Sequence, residues 1–306
     1  MSVRSRVRPA LCALLALTAT VTAAPDVAAD ATGAGPPRLP RLSARAWVVA
    51  DAGRGQVLAS YRPHQRLAPA STIKSLFALT VLPRLDGATR HRVTAKDLAG
   101  MGAGSSQVGV RIGGTYRVRD LWRGTFLRSG NDAVRVLARM NGGWAHTARQ
   151  MNAEARRIGA RNTHVVSPDG YDARGQYSSA YDLTLFGRAG LRDRQFAYYC
   201  GSAYGYFPMP GGRWQRIDST NRLLAGSHGV RRYRGVIGIK NGYTTQAGNT
   251  LIVAARRGGR TIVATVLNPT SGVRNGVYTE ARALLDWGFA AAGKVKPVMW
   301  LPKARG

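Results

Sequence analysis

Apolar positions change period along this chain. Residues 44–51 and 56–61 are short runs rich in Val, Leu and aromatics, and Gly53 and Gly55 lie between them, which predicts a β-hairpin. From Ser71 the step lengthens: Ile73, Leu76, Phe77, Thr80 and Val81 recur every three or four residues. This helical face ends at Pro83. Residues near 93 to 215 read as helices and loops, with helices over 118–128, 131–140, 145–159 and 180–192. Sheet signals then return. Residues 236–240 form an apolar run ending on Lys240, and 250–255 and 261–267 flank a turn at Arg256-Arg257-Gly258-Gly259-Arg260. Residues 277–291 predict an amphipathic helix through Tyr278, Ala281, Leu284, Leu285, Trp287 and Phe289. Strands at both ends with helices between them imply an α/β (α+β) fold. Its antiparallel sheet is built from both termini, with flanking helices and a helical subdomain inserted at roughly 93–215. The junction of the two parts is where a ligand cleft is expected.

The first residues follow a different logic. Arg4, Arg6 and Arg8 precede an apolar run from Ala10 to Val21, too short to span a bilayer, and small residues follow. This is the pattern of a secretory signal over 1–29, with cleavage after Ala23 or Ala29. A Gly- and Pro-rich linker over 30–40 follows, then a single domain over 41–291 and a basic tail over 292–306. The expectation is a secreted or cell-wall-associated protein without a transmembrane anchor. Cys12 falls in the signal and leaves Cys200 as the one cysteine of the mature chain, so neither an intramolecular disulfide nor a cysteine metal cluster is expected. None of the five histidines falls in a ligand spacing, and no metal or cofactor is expected.

The formal charge of +30 attracts polyanions. The arginines are scattered, however, and no basic run with interleaved aromatics resembles a nucleic-acid motif. For an exported protein, anionic wall polymers are the expected partner rather than nucleic acid, and Lys294, Lys296, Lys303 and Arg305 could touch such surfaces.

Only six of the 45 basic residues are lysines, and two of the six occupy polar clusters with chemical potential. Unlike a guanidinium, an amine can surrender its proton and act as a base. In Ser71-Thr72-Ile73-Lys74 the serine opens the predicted helix and the lysine follows one turn later on the same face. A hydroxyl becomes a nucleophile once a neighbouring base takes its proton. A lysine can be that base when burial and a nearby cation, for which Lys240 is the candidate, lower its pKa. Ser71 would otherwise be a plain helix cap. Ser129-Gly130-Asn131 lies between two predicted helices, where it is either a proton relay and substrate holder or simply a C-cap followed by an N-cap. Lys240-Asn241-Gly242-Tyr243-Thr244 follows an apolar run. It is either a strand edge that binds an extended peptide and its carboxylate, or an Asn-Gly hairpin turn.

In this order the three clusters resemble those of the D-alanyl-D-alanine carboxypeptidases, the low-molecular-mass penicillin-binding proteins. The resemblance covers nearly all of residues 40–290. It includes Ser105-Ser106 through Leu121, Ser167-Pro168-Asp169-Gly170, Tyr177 to Leu183 and Ser219-Thr220-Asn221-Arg222-Leu223-Leu224. The resemblance implies Ser71 as the acylated nucleophile, Lys74 as its base and Ser129 with Asn131 as relay and substrate orienter. It further implies that Lys240 and Thr244 hold the terminal carboxylate, beside Asn241 and Gly242, and that the N–H groups of Ser71 and Tyr243 form an oxyanion hole. The implied substrate is the peptidoglycan stem peptide, and β-lactams are the implied covalent inhibitors. Asn241 departs from the family's usual Lys-Thr-Gly, offering an amide in place of a hydroxyl. The tail is too short for the β-rich domain and membrane anchor of larger relatives. Two other readings use the same residues: a serine β-lactamase, or a non-catalytic wall-binding protein of the same fold. Against the first, Glu154 is the single glutamate between Asn131 and Lys240, and no Glu-x-x-x-Asn loop occurs.

Overall fold

A computed structural model describes Met1, Ser2 and residues 35–302. Residues 3–29 of the predicted signal, residues 30–34 of the linker, and Lys303 and Arg305 of the tail lie outside the described residues. The chain enters the fold through β1 (Ala44–Asp51) and β2 (Gln56–Tyr61), paired as the spacing predicts, with Asp51 opposite Gln56 and Gly55 at a φ of 72°. A single 3₁₀ turn, Ala70–Ile73, leads into α1 (Lys74–Val81). A small ribbon, β3 (Arg90–Arg92) with β4 (Thr115–Arg117), brackets the short α2 (Ala95–Leu98). Then come α3 (Val118–Leu127), α4 (Asn131–Met140), α5 (Trp144–Ile158), α6 (Ala180–Gly190) and α7 (Arg194–Gly201). A second ribbon, β5 (Tyr204–Pro208) with β6 (Trp214–Asp218), and the one-turn α8 (Arg222–Ala225) lead back to the sheet. The sheet is completed by β7 (Val236–Thr244), β8 (Gly248–Arg257) and β9 (Arg260–Pro269). After α9 (Gly276–Ala291), the short β10 (Met299–Trp300) joins its far edge.

The six strands pair antiparallel in the order β10-β2-β1-β9-β8-β7, which draws both ends of the chain into one sheet. Both faces are covered, so the strands are apolar almost throughout, with residues alternating between two cores. Trp47, Val49, Leu251, Val253, Ala264 and Val266 pack with Ala281, Leu284 and Leu285 of α9. Val48, Ala50, Ile252, Ala254 and Val263 pack with Leu76, Phe77 and Phe186 of the helical side. Each large aliphatic or aromatic side chain so buried contributes about 1.5–3 kcal/mol. The β8–β9 turn is the two-residue Gly258-Gly259, both at positive φ, the geometry that glycine adopts without steric cost. On the helical side a chain of ring contacts, Phe77 to Trp122 at 5.3 Å, Trp122 to Phe126 at 6.4 Å and Phe126 to Phe196 at 5.1 Å, ties α1 to α3 and α7.

Helices α2, α7 and α8, the β3–β4 and β5–β6 ribbons and β10 have no counterpart among the elements expected from the sequence, and two of these have a clear physical reason. Helix α7 buries only Phe196, Tyr199 and Cys200, too few for a periodic signal, and is set by its cap: Asp193 Oδ1 accepts from the Phe196 N–H at 2.7 Å. The β5–β6 ribbon carries aromatics on both faces. Tyr204, Tyr206 and Trp214 are exposed while Phe207 and Ile217 are buried, which erases the alternation that marks a strand.

Candidate active site

The nucleophile candidate sits where the chain turns from loop to helix. Ser71 lies in the 3₁₀ turn rather than in the α-helix itself, and its side chain does not cap the helix. Pro69 O anchors the turn by accepting from the Thr72 hydroxyl at 2.5 Å and from the Thr250 hydroxyl of β8 at 3.0 Å. Ala70 is held at a φ of 48°, a conformation costly for a residue with a side chain and frequent at functional sites. One helical step on, Lys74 is fully buried, with Nζ 2.7 Å from Ser71 Oγ. Nζ also donates to Asn131 Oδ1 at 2.7 Å and to the Asp169 backbone carbonyl at 2.5 Å. Burial pushes the Lys74 amine down to about 8, against an upward pull from Asp169 and Asp132. Burial, one of the two causes expected from the sequence, dominates, and Lys240, the expected cation, is not among the groups that shift Lys74.

Asn131 reaches the same place from the opposite wall, two residues after the buried Ser129. Ser129 adopts a φ of 57°, and its buried hydroxyl has no hydrogen-bond partner among the described residues. Asn131 opens α4 and is clamped on both sides: its Nδ2 donates to Ser105 Oγ at 3.1 Å, and its N–H to Ser106 O at 2.7 Å. Beside it, the fully buried Asp132 gathers the N–H groups of Val108, Gly109, Val110 and Ala133 at 2.9–3.0 Å. Asp132 therefore fixes the 105–110 loop against α4. Asp132→Ala strands those donors in the interior, and urea unfolding should show a loss of about 3 kcal/mol or more. A loss under about 1 kcal/mol would mean that the loop is held by other means.

The third cluster is strand, not turn. Lys240, Asn241 and Gly242 stand opposite Ile252, Leu251 and Thr250 within β7, and the chain reverses only after Thr244. Pairing with β8 thus overrides the local Asn-Gly signal. Since β7 is the sheet edge, one side of its backbone is open to an extended peptide. Gly242 has a packing reason: a Cβ there would lie 2.6 Å from the Ser71 nitrogen. Lys240 points inward, fully buried, and Nζ donates to the Asn241 carbonyl at 2.8 Å. Burial first, then the charge of Lys74, push the Lys240 amine well below its ordinary value. Tyr243 is largely exposed, and the Thr244 hydroxyl accepts from the Ala247 N–H at 3.1 Å.

Asn241 has a partner that the motif did not name. Its Oδ1 accepts from the Thr220 hydroxyl at 2.9 Å, leaving the amide N–H₂ as the free end. Asp169, whose carbonyl receives Lys74, and Gly170, where a Cβ would meet Ala70 O at 2.1 Å, also belong to the site. Both lay in segments already noted by resemblance, but a backbone acceptor has no sequence signal. Two cavities meet over β7. One of about 240 Å³ is lined by Ser71, Ser105, Asn131, Tyr243 and Thr244. The other, about 930 Å³, is lined by Asn241, Gly242, Thr220 and the basic Arg128, Arg222 and Arg274. Ser106 and Tyr243 border both.

A serine–lysine pair facing the edge of an antiparallel sheet, with helices closing the other side, defines the class of the serine DD-peptidases. The D-alanyl-D-alanine carboxypeptidase family profile (Peptidase S11) matches residues 31–271. The D-alanyl-D-alanine carboxypeptidase DacB2 of Mycobacterium tuberculosis is 39% identical over 267 residues, spanning 86% of this chain and 88% of that protein. DacD of Escherichia coli is 34% identical, over 82% of this chain and 64% of that protein. Among solved structures, a D-alanyl-D-alanine carboxypeptidase of M. tuberculosis superposes with a TM-score of 0.79 at 37% identity, covering 88% of this chain and 98% of that one. The Streptomyces K15 DD-transpeptidase superposes at 0.75 and 27% identity, covering 83% and 100%. The chain belongs to the D-alanyl-D-alanine carboxypeptidase family and is a serine-type hydrolase of that family.

Proposed function

We propose that this enzyme removes the C-terminal D-alanine from peptidoglycan stem peptides through an acyl-enzyme on Ser71. The observation that carries the reading is the hydrogen bonding of Lys74. As a neutral amine it has two N–H groups, which Asn131 Oδ1 and Asp169 O accept, so its lone pair is left facing Ser71 Oγ. Ser71 Oγ attacks the carbonyl of the penultimate D-alanine while its proton passes to Lys74 Nζ. The N–H groups of Ser71 and Tyr243 stabilise the resulting oxyanion. On collapse, the proton travels through the Ser129 hydroxyl to the departing amine, D-alanine leaves, and an ester remains on Ser71. Water enters by the reverse proton path and frees the shortened peptide. Lys240, Thr244 and the Asn241 amide hold the terminal carboxylate, whose charge supplies the counterion that Lys240 lacks in the free cleft. Export over residues 1–29 is supported by their sequence and brings the enzyme to its substrate.

The test is release of D-alanine from a diacyl-Lys-D-Ala-D-Ala peptide, measured beside the fate of bound penicillin. We expect D-alanine release and a persistent penicillin acyl-enzyme. Glu154 is engaged by Arg157 at 2.7 and 2.8 Å on the flank of α5, and Glu280, the other glutamate, accepts from the Ser43 and Ala44 N–H groups, so neither is free to activate a deacylating water. Rapid multiple-turnover hydrolysis of penicillin would overturn the assignment in favour of a β-lactamase. Thr220→Val removes the donor that orients Asn241 and should raise KM about three- to tenfold with little change in kcat, while Thr220→Ser should retain the parent value. Unchanged KM in the valine variant would remove Asn241 from carboxylate binding.

A further inference from the structure

Away from the cleft, the C-terminal ends of α5 and α6, with the chain at Pro302, enclose a second basic cavity of about 370 Å³. Arg156, Arg157, Arg161 and Arg192 stand around it, exposed, and Arg188 forms its buried base. It shares no residue with either cavity beside Ser71, and no Asp or Glu lines it. Nearby carboxylates are committed elsewhere. Glu154 pairs with Arg157, Asp193 caps α7, and Asp182 accepts from the Asn162 N–H and the Thr163 hydroxyl. Arg156, Arg161 and Arg192 have no ion-pair partner among the described residues. Arg188, 8% exposed, is fixed by Nε to Ala52 O at 2.7 Å and by a second nitrogen to Pro302 O at 2.6 Å.

Charge bookkeeping separates a ligand site from ordinary helix capping. The two helix C-termini supply roughly one negative charge between them. Four arginine charges are left once Glu154 has neutralised Arg157, so a surplus remains that Asp51, itself shared with Arg260, offsets only in part. Burial, and after it the charge of Arg192, hold Arg188 below the usual guanidinium range, so the cluster already carries mutual repulsion. Guanidinium groups are weakly hydrated planar forks that pair with phosphate through two parallel hydrogen bonds. Ile158, Leu185 and Ala189 give the cavity apolar surface between the cations. A lone phosphate would leave much of that volume and surface unused, whereas phosphates joined by short carbon linkers match both features.

We propose that this arginine-walled cavity binds a phosphodiester chain of the cell-wall type, with Arg161 and Arg192 gripping phosphates at the rim and Arg188 as the fixed cation beneath. The site would moor the enzyme to an anionic polymer while leaving the cleft free.

The test measures binding of a fluorescent poly(glycerol phosphate) to the parent protein, to Arg161→Glu/Arg192→Glu and to Arg41→Glu/Arg45→Glu. The two variants change net charge equally, and Arg45 lies about 20 Å along β1 from the Asp51 end that adjoins the cavity. The cavity variant should lose about tenfold or more in affinity, as expected for two charge-assisted contacts, and the control much less. Arg161→Gln/Arg192→Gln should fall between parent and charge reversal, and D-alanine release should be unchanged throughout. Equal losses in the cavity and control variants would mean attraction by net charge alone and would overturn the site, as would a parent that does not bind. Inorganic phosphate competing as well as polymer at equal phosphate concentration would overturn the chain assignment. Duplex DNA bound equally well with the same arginine dependence would overturn the wall-polymer assignment.

Discussion

Ser71→Ala should abolish covalent labelling by a fluorescent penicillin and lower D-alanine release by about 10⁴-fold or more, the scale seen when a catalytic serine is removed from an enzyme that acts through it. The substitution removes one oxygen from a half-buried position whose backbone is held independently through Pro69 and Thr250, so the fold should be retained. Thermal unfolding within about 2 °C of the parent would confirm this, as expected when no core contact is lost. A variant that still takes the label would place the acylated group elsewhere and sink the mechanism.

Lys74 gives the second large effect. A base that must be neutral, with a pKa of about 8, makes kcat/KM rise with pH and level off above that value. Below it Lys74 is protonated, and kcat/KM should fall about tenfold for each pH unit. Lys74→Arg should be nearly inactive at every pH, about 10³-fold down or more, because a guanidinium keeps its proton and its planar head does not reproduce the amine's contacts. Lys240→Gln separates the two amines. The acid limb should persist, because burial rather than Lys240 dominates the shift of Lys74, while KM rises with loss of the carboxylate's counterion. A kcat/KM that is flat from about pH 6 to 9 in the parent would exclude Lys74 as the base.

What the sequence disclosed was local. Lys74 follows Ser71 by one turn, and a helix puts those side chains together whatever surrounds them. The hairpins at Gly55 and Gly258-Gly259 were readable because turn and strand signals agreed. Asn241-Gly242 shows the opposite case: its local preference is a turn, and the strand is imposed by β8 and by the need to lie against Ser71. The Asp169 carbonyl on Lys74 and the Thr220 hydroxyl on Asn241 were invisible as roles, since both depend on chain brought in from far along the sequence. Helix α7 and the β5–β6 ribbon were missed because each buries only two or three side chains.

The pairing of β1 with β9 bears on how the enzyme comes into being. Ala44 aligns with Pro269 and Val48 with Thr265, so the central strand pair closes a loop of most of the chain. Contacts of such sequence separation are slow to form, because the entropy of closing the loop is spent before any packing offsets it. Lys240 rides on the strands that wait for this closure, whereas Ser71 and Lys74 share one local turn. An incomplete chain can therefore carry a formed serine–lysine pair but no edge strand to present a substrate to it. Competence arrives only when the last strands dock, so a nascent chain is held inert by its own topology.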